Sequence, residues 1–433
     1  MPASIVKNRK TLAVTPLRRD ALAILEAGIR AVDSGLALRR AVRRDGDVLR
    51  AGGKRFRLDR YRHVYVIGIG KAAARSALAL ERILGPHLTG GIALDVQHVR
   101  TRRIKSIAGS HPFPSLPNMQ ATGEIMGLLK HVDSRDLVIV VVSGGGSALL
   151  CWPHKLKCDD ISALTRALMA KGATIQELNT VRKHLSEIQG GQLARLAHPA
   201  TVLGLVFSDV PGDDLPIVAS GPTYLDTTTA ADARRILTKY HTLRTCRLPH
   251  CEVIETPKDP LFFRRVTNVL VASNALAAAA MRHEARRRGY RARVFSTALT
   301  GEARDVGRLL ADLPRPGEAL IAAGETTVTL RGKGRGGRNQ EAALGALASL
   351  PDDGLVLACA SDGIDNGPHA GAIADAVTRA HAARGRLSPA AFLVRNDSFA
   401  FFEKTGDAIL TGVTGVNVSD LFLSLRRAPP RRT

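Results

Sequence analysis

Aromatic residues are scarce: Phe, Tyr and Trp make up 4% of the 433 residues. Cores must therefore be packed from Ala, Leu, Val and Ile, within an apolar share of 45%. The scarcity also removes the stacking platforms that a single-strand nucleic-acid binder needs. Cysteine is scarce as well, with five residues at 151, 158, 246, 251 and 359. Their odd number and spacing match neither a CxxC pair nor a zinc module, so free thiols in a reducing compartment are expected. No apolar run reaches the length of a membrane span, and charges interrupt the stretch 22–36, so no leader or anchor is expected. These absences describe a soluble, cytoplasmic protein. Acidic residues are outnumbered, 39 against 62 basic ones, for a formal net charge of +23. The basic residues gather at 7–19, 40–62, 100–105, 282–293 and 427–432 without interleaved aromatics. They read as a solvated surface that attracts anions, and a nucleic-acid partner is not expected.

The length exceeds what one hydrophobic core usually supports, so two domains are expected. Helical spacing covers 18–41, and the basic stretch 43–62 reads as a loop leading to an edge element. From there strands and helices alternate: a strand at 63–70, a helix at 71–84, a strand at 91–96 and a helix at 118–130. The β-branched run 137–142 reads as a strand buried on both faces, followed by a helix at 160–171 and a strand at 202–207. This rhythm predicts a mostly parallel sheet covered by helices. It lapses at 242–260, where three prolines fall, and the domain boundary is placed there. It resumes with a strand at 269–273, a helix at 275–288 and a strand at 292–296. A helix at 302–313, a strand pair within 319–330, a helix at 339–350 and a strand at 355–360 complete it.

Glycines and charges collect where these strands end. Gly68-Ile-Gly70-Lys71 joins a strand to a helix, either as an anion cradle with an added cation or as a tight structural turn. Ser143, Gly144, Gly145, Gly146 and Ser147 follow the buried run. Three successive glycines permit close approach of a phosphate to the backbone, and Ser147 alternatively caps the next helix. Asn179, Arg182 and Lys183 can bind a carboxylate or phosphate, or stand solvated on a helix. Asp209, Asp213 and Asp214 crowd one strand end and require a cation or proton among them, unless they serve as turn and cap residues. In the second half, Glu325 ends a strand. Lys333 and Arg338 alternate with glycines, and Asn339 and Gln340 can orient ligand oxygens. Asp362 lies in a second acidic turn and Asn417 in a polar one.

Taken together these segments resemble the class II glycerate kinases, the family whose C-terminal part is the MOFRL domain. The motifs that carry the resemblance run in order along the chain. They are GIGKAA at 68–73, HPFP at 111–114, SGGGSALL at 143–150, LNTVRKHLSEIQGG at 178–191 and SDVPGDDLPIVASGPT at 208–223. GETTVTL at 324–330, GKGRGGRNQEAAL at 332–344, SDGID at 361–365 and TGVNVSDL at 414–421 follow. The resemblance implies an N-terminal Rossmann-like parallel-sheet domain over 1–250 and a C-terminal α/β domain over 251–433. The latter would hold the MOFRL region at about 315–425, with an active-site cleft between the domains. It implies an ATP- and Mg2+-dependent kinase, monomeric or homodimeric, that phosphorylates D-glycerate at O2. Lys71 and Arg338 fall on the family's catalytic positions. Asp209 is the candidate for the proton acceptor or a metal ligand, with Asp213, Asp214 and Asp362 as further ligands. Some relatives are called hydroxypyruvate reductases, so NAD(P)-dependent reduction is the alternative activity. The chain departs from the family at Ser115, where an aspartate is frequent, and at Val413 and Val416, where proline and threonine are frequent.

Overall fold

A computed structural model describes residues 4–210, 212, 214–246 and 251–428. The chain divides into a central unit, Ser34–Val210 with Asp214–Val271, and a terminal unit that joins Met1–Asp33 to Ala272–Thr433. This differs from a division at 250. The helical spacing at 18–41 resolves into two helices, Pro16–Ala31 and Ser34–Ala41, and the division falls between them.

The central unit opens with a feature that differs from expectation. The stretch read as a loop is a small antiparallel sheet of β1 (Val42–Asp45), β2 (Val48–Ala51) and β3 (Lys54–Arg57). Leu49 and Phe56 point inward from it, while its arginines face solvent. Four-residue strands with charged outer faces carry too few apolar residues to show alternation.

The main sheet follows, with β4 (His63–Ile69), β5 (Gly90–Asp95), β6 (Ile104–Ala108), β7 (Asp136–Val142), β8 (Thr201–Phe207) and β9 (Val266–Ala272). Their spatial order is β6-β5-β4-β7-β8-β9, and the pairs β4–β5, β5–β6, β4–β7 and β7–β8 are parallel. Strand order therefore reverses between β4 and β7. In open parallel sheets, the crevice beyond the strand ends at such a reversal is where ligands bind. β7 is buried along its whole length, as its unbroken apolar run demands.

Cys151 and Cys158 form a disulfide, correcting the expectation of five free thiols. The chain doubles back between the helices Gly146–Leu149 and Cys158–Ala170, leaving the two Cα atoms 6.3 Å apart. That lies within bridging range, which a spacing of seven residues cannot reveal. Cys246, Cys251 and Cys359 are free.

The terminal unit contains β10 (Arg291–Leu299), β11 (Glu318–Gly324), β12 (Gly354–Ala360), β13 (Gly371–Asp375), β14 (Ala408–Ile409) and β15 (Asp420–Arg426). The order is β10-β11-β15-β12-β13-β14. Only β10 and β11 pair in parallel, because β15, from the end of the chain, inserts antiparallel between β11 and β12. β11 is a single strand, and 325–330 adds no second one to make the expected pair.

The helix Pro16–Ala31 belongs to this unit because Gly28 admits a close neighbour. A Cβ there would lie 2.6 Å from Met281 Cγ on the helix Asn274–Arg287. Near its start, Arg18 is 1% exposed. Its guanidinium donates to Asp375 at 2.7 Å from both Nε and Nη2, and Nη1 lies 2.8 Å from Asp407 Oδ1. The carboxylates outweigh the cost of burial and hold the guanidinium pKa above its ordinary value. Replacing Arg18 by Leu strands two buried carboxylates, and we expect a loss of about 3–5 kcal/mol. Urea unfolding of the variant measures this; a loss below about 1 kcal/mol, the scale of an exposed pair, would contradict it.

Candidate active site

At the strand reversal of the central unit, the loops after β4 and β7 interlock. Gly70 has φ +107°, and a Cβ on it would sit 2.3 Å from Ser143 Oγ. Ser143 is buried; its hydroxyl donates to Ile69 O at 3.1 Å and accepts from Ala72 N at 3.0 Å. Lys71 N donates to Gly144 O, Gly70 N to Leu94 O and Ala73 N to Gly70 O. Asp95, at the end of β5, accepts from Ala74 N at 2.9 Å. Every amide from Gly70 to Ala74 is thus already satisfied. Of the two readings of this turn, the structural one holds for its backbone, which has no N–H left for an anion. Only the Lys71 side chain remains to act.

The loop after β7 is different. Gly145 adopts the left-handed conformation at φ +79° and precedes the short helix Gly146–Leu149. The amides of Gly144 and Gly145 have no acceptor among the described residues. A Cβ on Gly145 would lie 3.1 Å from the His111 ring and 3.3 Å from Lys71 Cγ. His111, in the HPFP segment, has its pKa lowered to about 4 by burial first, then by the charges of Lys71 and Arg182. Lys71, Arg182, His111 and the free amides therefore gather at one point. Neither Lys71 nor Arg182 has a carboxylate partner among the described residues. Burial alone lowers the Arg182 pKa, with no anion to counter it.

The neighbouring candidates separate by role. Ser147 Oγ lies 2.9 Å from Ser220 Oγ, which donates to Asn179 Oδ1 at 2.8 Å. This chain of hydroxyls ties the glycine loop to the helix Ile175–His184 and to the turn at 220–223. Lys183 is buried and paired with Asp226 at 3.2 Å, so it is held away from the ligand role expected of it while Arg182 is left for that role. Asp209 and Asp214 stand beyond the end of β8, and Asp213 lies outside the described residues.

In the terminal unit Arg338 begins the helix Arg338–Ala346. Its Nε donates to Asp420 Oδ2 at 2.5 Å and its Nη1 to Glu325 Oε1 at 2.6 Å. Glu325 thus serves as a partner of Arg338. Asp420, 1% exposed, has its pKa raised to about 7 by burial, against the pull of Arg338 and Asn339. Asp365 accepts from the backbone amides of Asn339 and Gln340 at 3.0 and 2.8 Å, and from both side-chain amides at 3.1 Å. Asn339 and Gln340, expected to orient ligand oxygens, are fully buried and turned to protein carboxylates instead.

The glycine-rich stretch before this helix also differs from a phosphate cradle. Cβ atoms on Gly332 and Gly334 would strike the backbone at Arg395 and Asn396, and one on Gly337 would strike Asp365. These glycines let two chain segments pack, leaving Lys333 exposed. A cleft of about 570 Å3 opens beside them, lined by Arg338, Asp362, Asn417 and Asp420 together with Leu330 and Ile364. Among the described residues no three His, Cys, Asp or Glu side chains gather to hold a metal. Mg2+ bound through substrate phosphates needs only one or two carboxylates. Asp362 in the cleft fits that donor set.

Asp95 and His111 escaped a reading by residue type, because Ala74 and Lys71, which they meet, are remote in sequence.

Two family models match successive parts of the chain. The family model described as "Domain of unknown function (DUF4147)" matches residues 20–251, and that of the MOFRL family matches 318–420. A glycerate 2-kinase of Pyrococcus horikoshii is 36% identical, over 96% of this chain and 99% of its own length. The crystal structure of a glycerate kinase from Thermotoga maritima superposes with a TM-score of 0.82 at 32% identity, covering 95% of this chain and 99% of that one. A putative hydroxypyruvate reductase of Agrobacterium vitis is 39% identical over 82% of this chain and 97% of its own. The chain belongs to the class II glycerate kinase family. As in those glycerate kinases, its architecture is a two-domain α/β one. No helix of the described residues is long and apolar enough to cross a membrane.

The cluster in this glycerate kinase homologue has an electrostatic signature. Lys71→Ala or Arg182→Ala removes a positive charge that opposes protonation of His111, so each variant should raise the His111 titration midpoint. NMR titration of the ring proton reads this. A midpoint that stays near 4 in both variants would show that the cations do not face the ring. Because the folded value lies below the ordinary one of 6.5, His111 favours the folded state above pH 6.5. That contribution is lost as the pH falls from 6.5 towards 4.

Proposed function

We propose that this chain is an ATP-dependent glycerate kinase that phosphorylates D-glycerate at O2, giving 2-phosphoglycerate and ADP. The observation that carries the reading is the set of unpaired donors at the strand reversal: the Gly144 and Gly145 amides, Lys71 and Arg182. Phosphoryl transfer calls chiefly for positioning and charge compensation, and such a set supplies both. In this reading Lys71 and the two amides neutralise charge on the transferring phosphoryl group. Arg182 binds the glycerate carboxylate, and Asp209 receives the hydroxyl proton. In the terminal unit Arg338, already held in place by Asp420 and Glu325, is the cation that compensates phosphate charge. A Rossmann-like fold is our reading of the central unit, and the strand order supports it. Asp362, in the cleft of the terminal unit, would hold Mg2+ together with the nucleotide phosphates. When bound, the ion neutralises phosphate charge.

Reduction of hydroxypyruvate with a nicotinamide cofactor is less well supported. In a dinucleotide site, an acidic residue some 20 positions beyond the glycine turn binds the ribose hydroxyls. Asp95 stands near that position, but its oxygens accept from Ala74, Val96 and Gln97 amides.

In a coupled ADP-release assay with D-glycerate, Lys71→Ala should lower kcat/KM by about 100- to 1000-fold, the scale for removing one transition-state donor. Arg182→Ala should act chiefly on the glycerate KM. Wild-type protein that oxidises NADH on hydroxypyruvate and releases no ADP on glycerate would overturn the kinase reading.

A further inference from the structure

The cluster at the strand reversal of the central unit is made almost wholly of donors. Lys71, Arg182 and the amides of Gly144 and Gly145 give hydrogen bonds and cannot accept them. His111 is the exception in that set. Its Cδ2–Nε2 edge lies over Gly145, where a Cβ would come within 3.1 Å of Cδ2 and 3.4 Å of Nε2. The residue keeps an exposed surface that a ligand can reach, and its ring nitrogens have no hydrogen-bond partner among the described residues. Partial burial, then the charges of Lys71 and Arg182, disfavour protonation of the ring. At neutral pH one ring nitrogen therefore keeps its lone pair while the other carries the N–H.

The chain holds this ring from both sides. Asn118, fully buried, accepts from Ser110 N at 2.8 Å and donates to Ser110 O at 3.1 Å and to Ala148 O at 3.3 Å. It thereby ties the residue before His111 to the helix that follows the glycine loop. On the other side the Arg166 guanidinium lies over the Phe113 ring, 4.6 Å from its centroid. Anchored flanks around a ring that itself makes no bond are the arrangement of a preorganised ligand contact.

We propose that His111 is a specificity-determining residue, whose ring nitrogen accepts a hydrogen bond from the hydroxyl of glycerate that is not phosphorylated, while Arg182 holds the carboxylate. The proposal rests on the kinase reading for the identity of the acid. Glycerate brings two O–H donors. That reading gives one of them to Asp209, and a set made only of donors would leave the other unanswered. An acid without this hydroxyl forfeits the bond, and a site that hydrogen-bonds a substrate hydroxyl discriminates against analogues lacking it.

The test titrates the full chain by calorimetry with D-glycerate and with D-lactate, which keeps the carboxylate and the 2-hydroxyl but carries a methyl in place of the hydroxymethyl group. Wild-type protein should bind D-glycerate about 10- to 100-fold more tightly. In His111→Leu the preference should shrink to within about threefold, chiefly through weaker binding of glycerate. His111→Gln, whose side-chain carbonyl can accept, should restore part of it. A merely structural role would weaken both acids alike in His111→Leu and leave their ratio unchanged, which would overturn the proposal. Equal wild-type affinity for the two acids would overturn it as well, and that result needs no variant to fold. ADP release on glycerate without any such preference leaves the kinase reading standing and removes only the role of His111. A His111-dependent preference without ADP release does the reverse.

Discussion

The contact between Gly70 and Ser143 is the constraint on which the candidate active site of the central unit depends. β4 and β7 are neighbours in the sheet, and the chain must leave both at the same end. The two exits fit because Gly70 has no side chain and because the Ser143 hydroxyl bridges Ile69 O and Ala72 N. A larger residue at position 70 would force the loops apart. With the loops locked, the amides at 70–74 are consumed internally, while those of Gly144 and Gly145 have no acceptor among the described residues. In the kinase reading proposed above, rigid backbone would supply fixed positive dipoles where charge compensation is needed, with little reorganisation.

The terminal unit solves a different problem. Arg338 is neutralised by Glu325 and Asp420, and the first turn of its helix is fastened to Asp365. A guanidinium held at two edges keeps its planar fork oriented, which a lysine could not reproduce. Glycines at 332 and 334 contribute by letting their stretch of chain pack against 395–397, and Gly337 admits Asp365. Their role is close approach of protein to protein. Lys71 and Arg338 differ in setting: Lys71 has no carboxylate partner among the described residues, and Arg338 has two.

Charge distribution follows the same logic in both units. Buried cations in structural roles, such as Arg18 and Lys183, are matched by buried carboxylates. Arg182 breaks this rule. The formal charge of +23 is carried mostly on the surface and raises the local concentration of anions, an effect that salt screens.

Periodicity and turn residues in the sequence were sufficient for the alternation of strands and helices, the buried β7 and the glycine turns at strand ends. Ordered motifs were sufficient for the family. These features are local or repeat along the chain, so they leave a trace in residue spacing. The small sheet over 42–57 was hidden because its strands are short and charged. The disulfide, the middle position of β15 and the membership of Pro16–Ala31 in the terminal unit depend on contacts between remote segments. The same holds within the sites. Residue type marks Arg182 and Lys183 as equal candidates, yet Asp226, 43 positions beyond Lys183, pairs with that lysine and leaves the arginine without an anion. Only the folded chain decides which charges are answered by protein and which are left for a ligand.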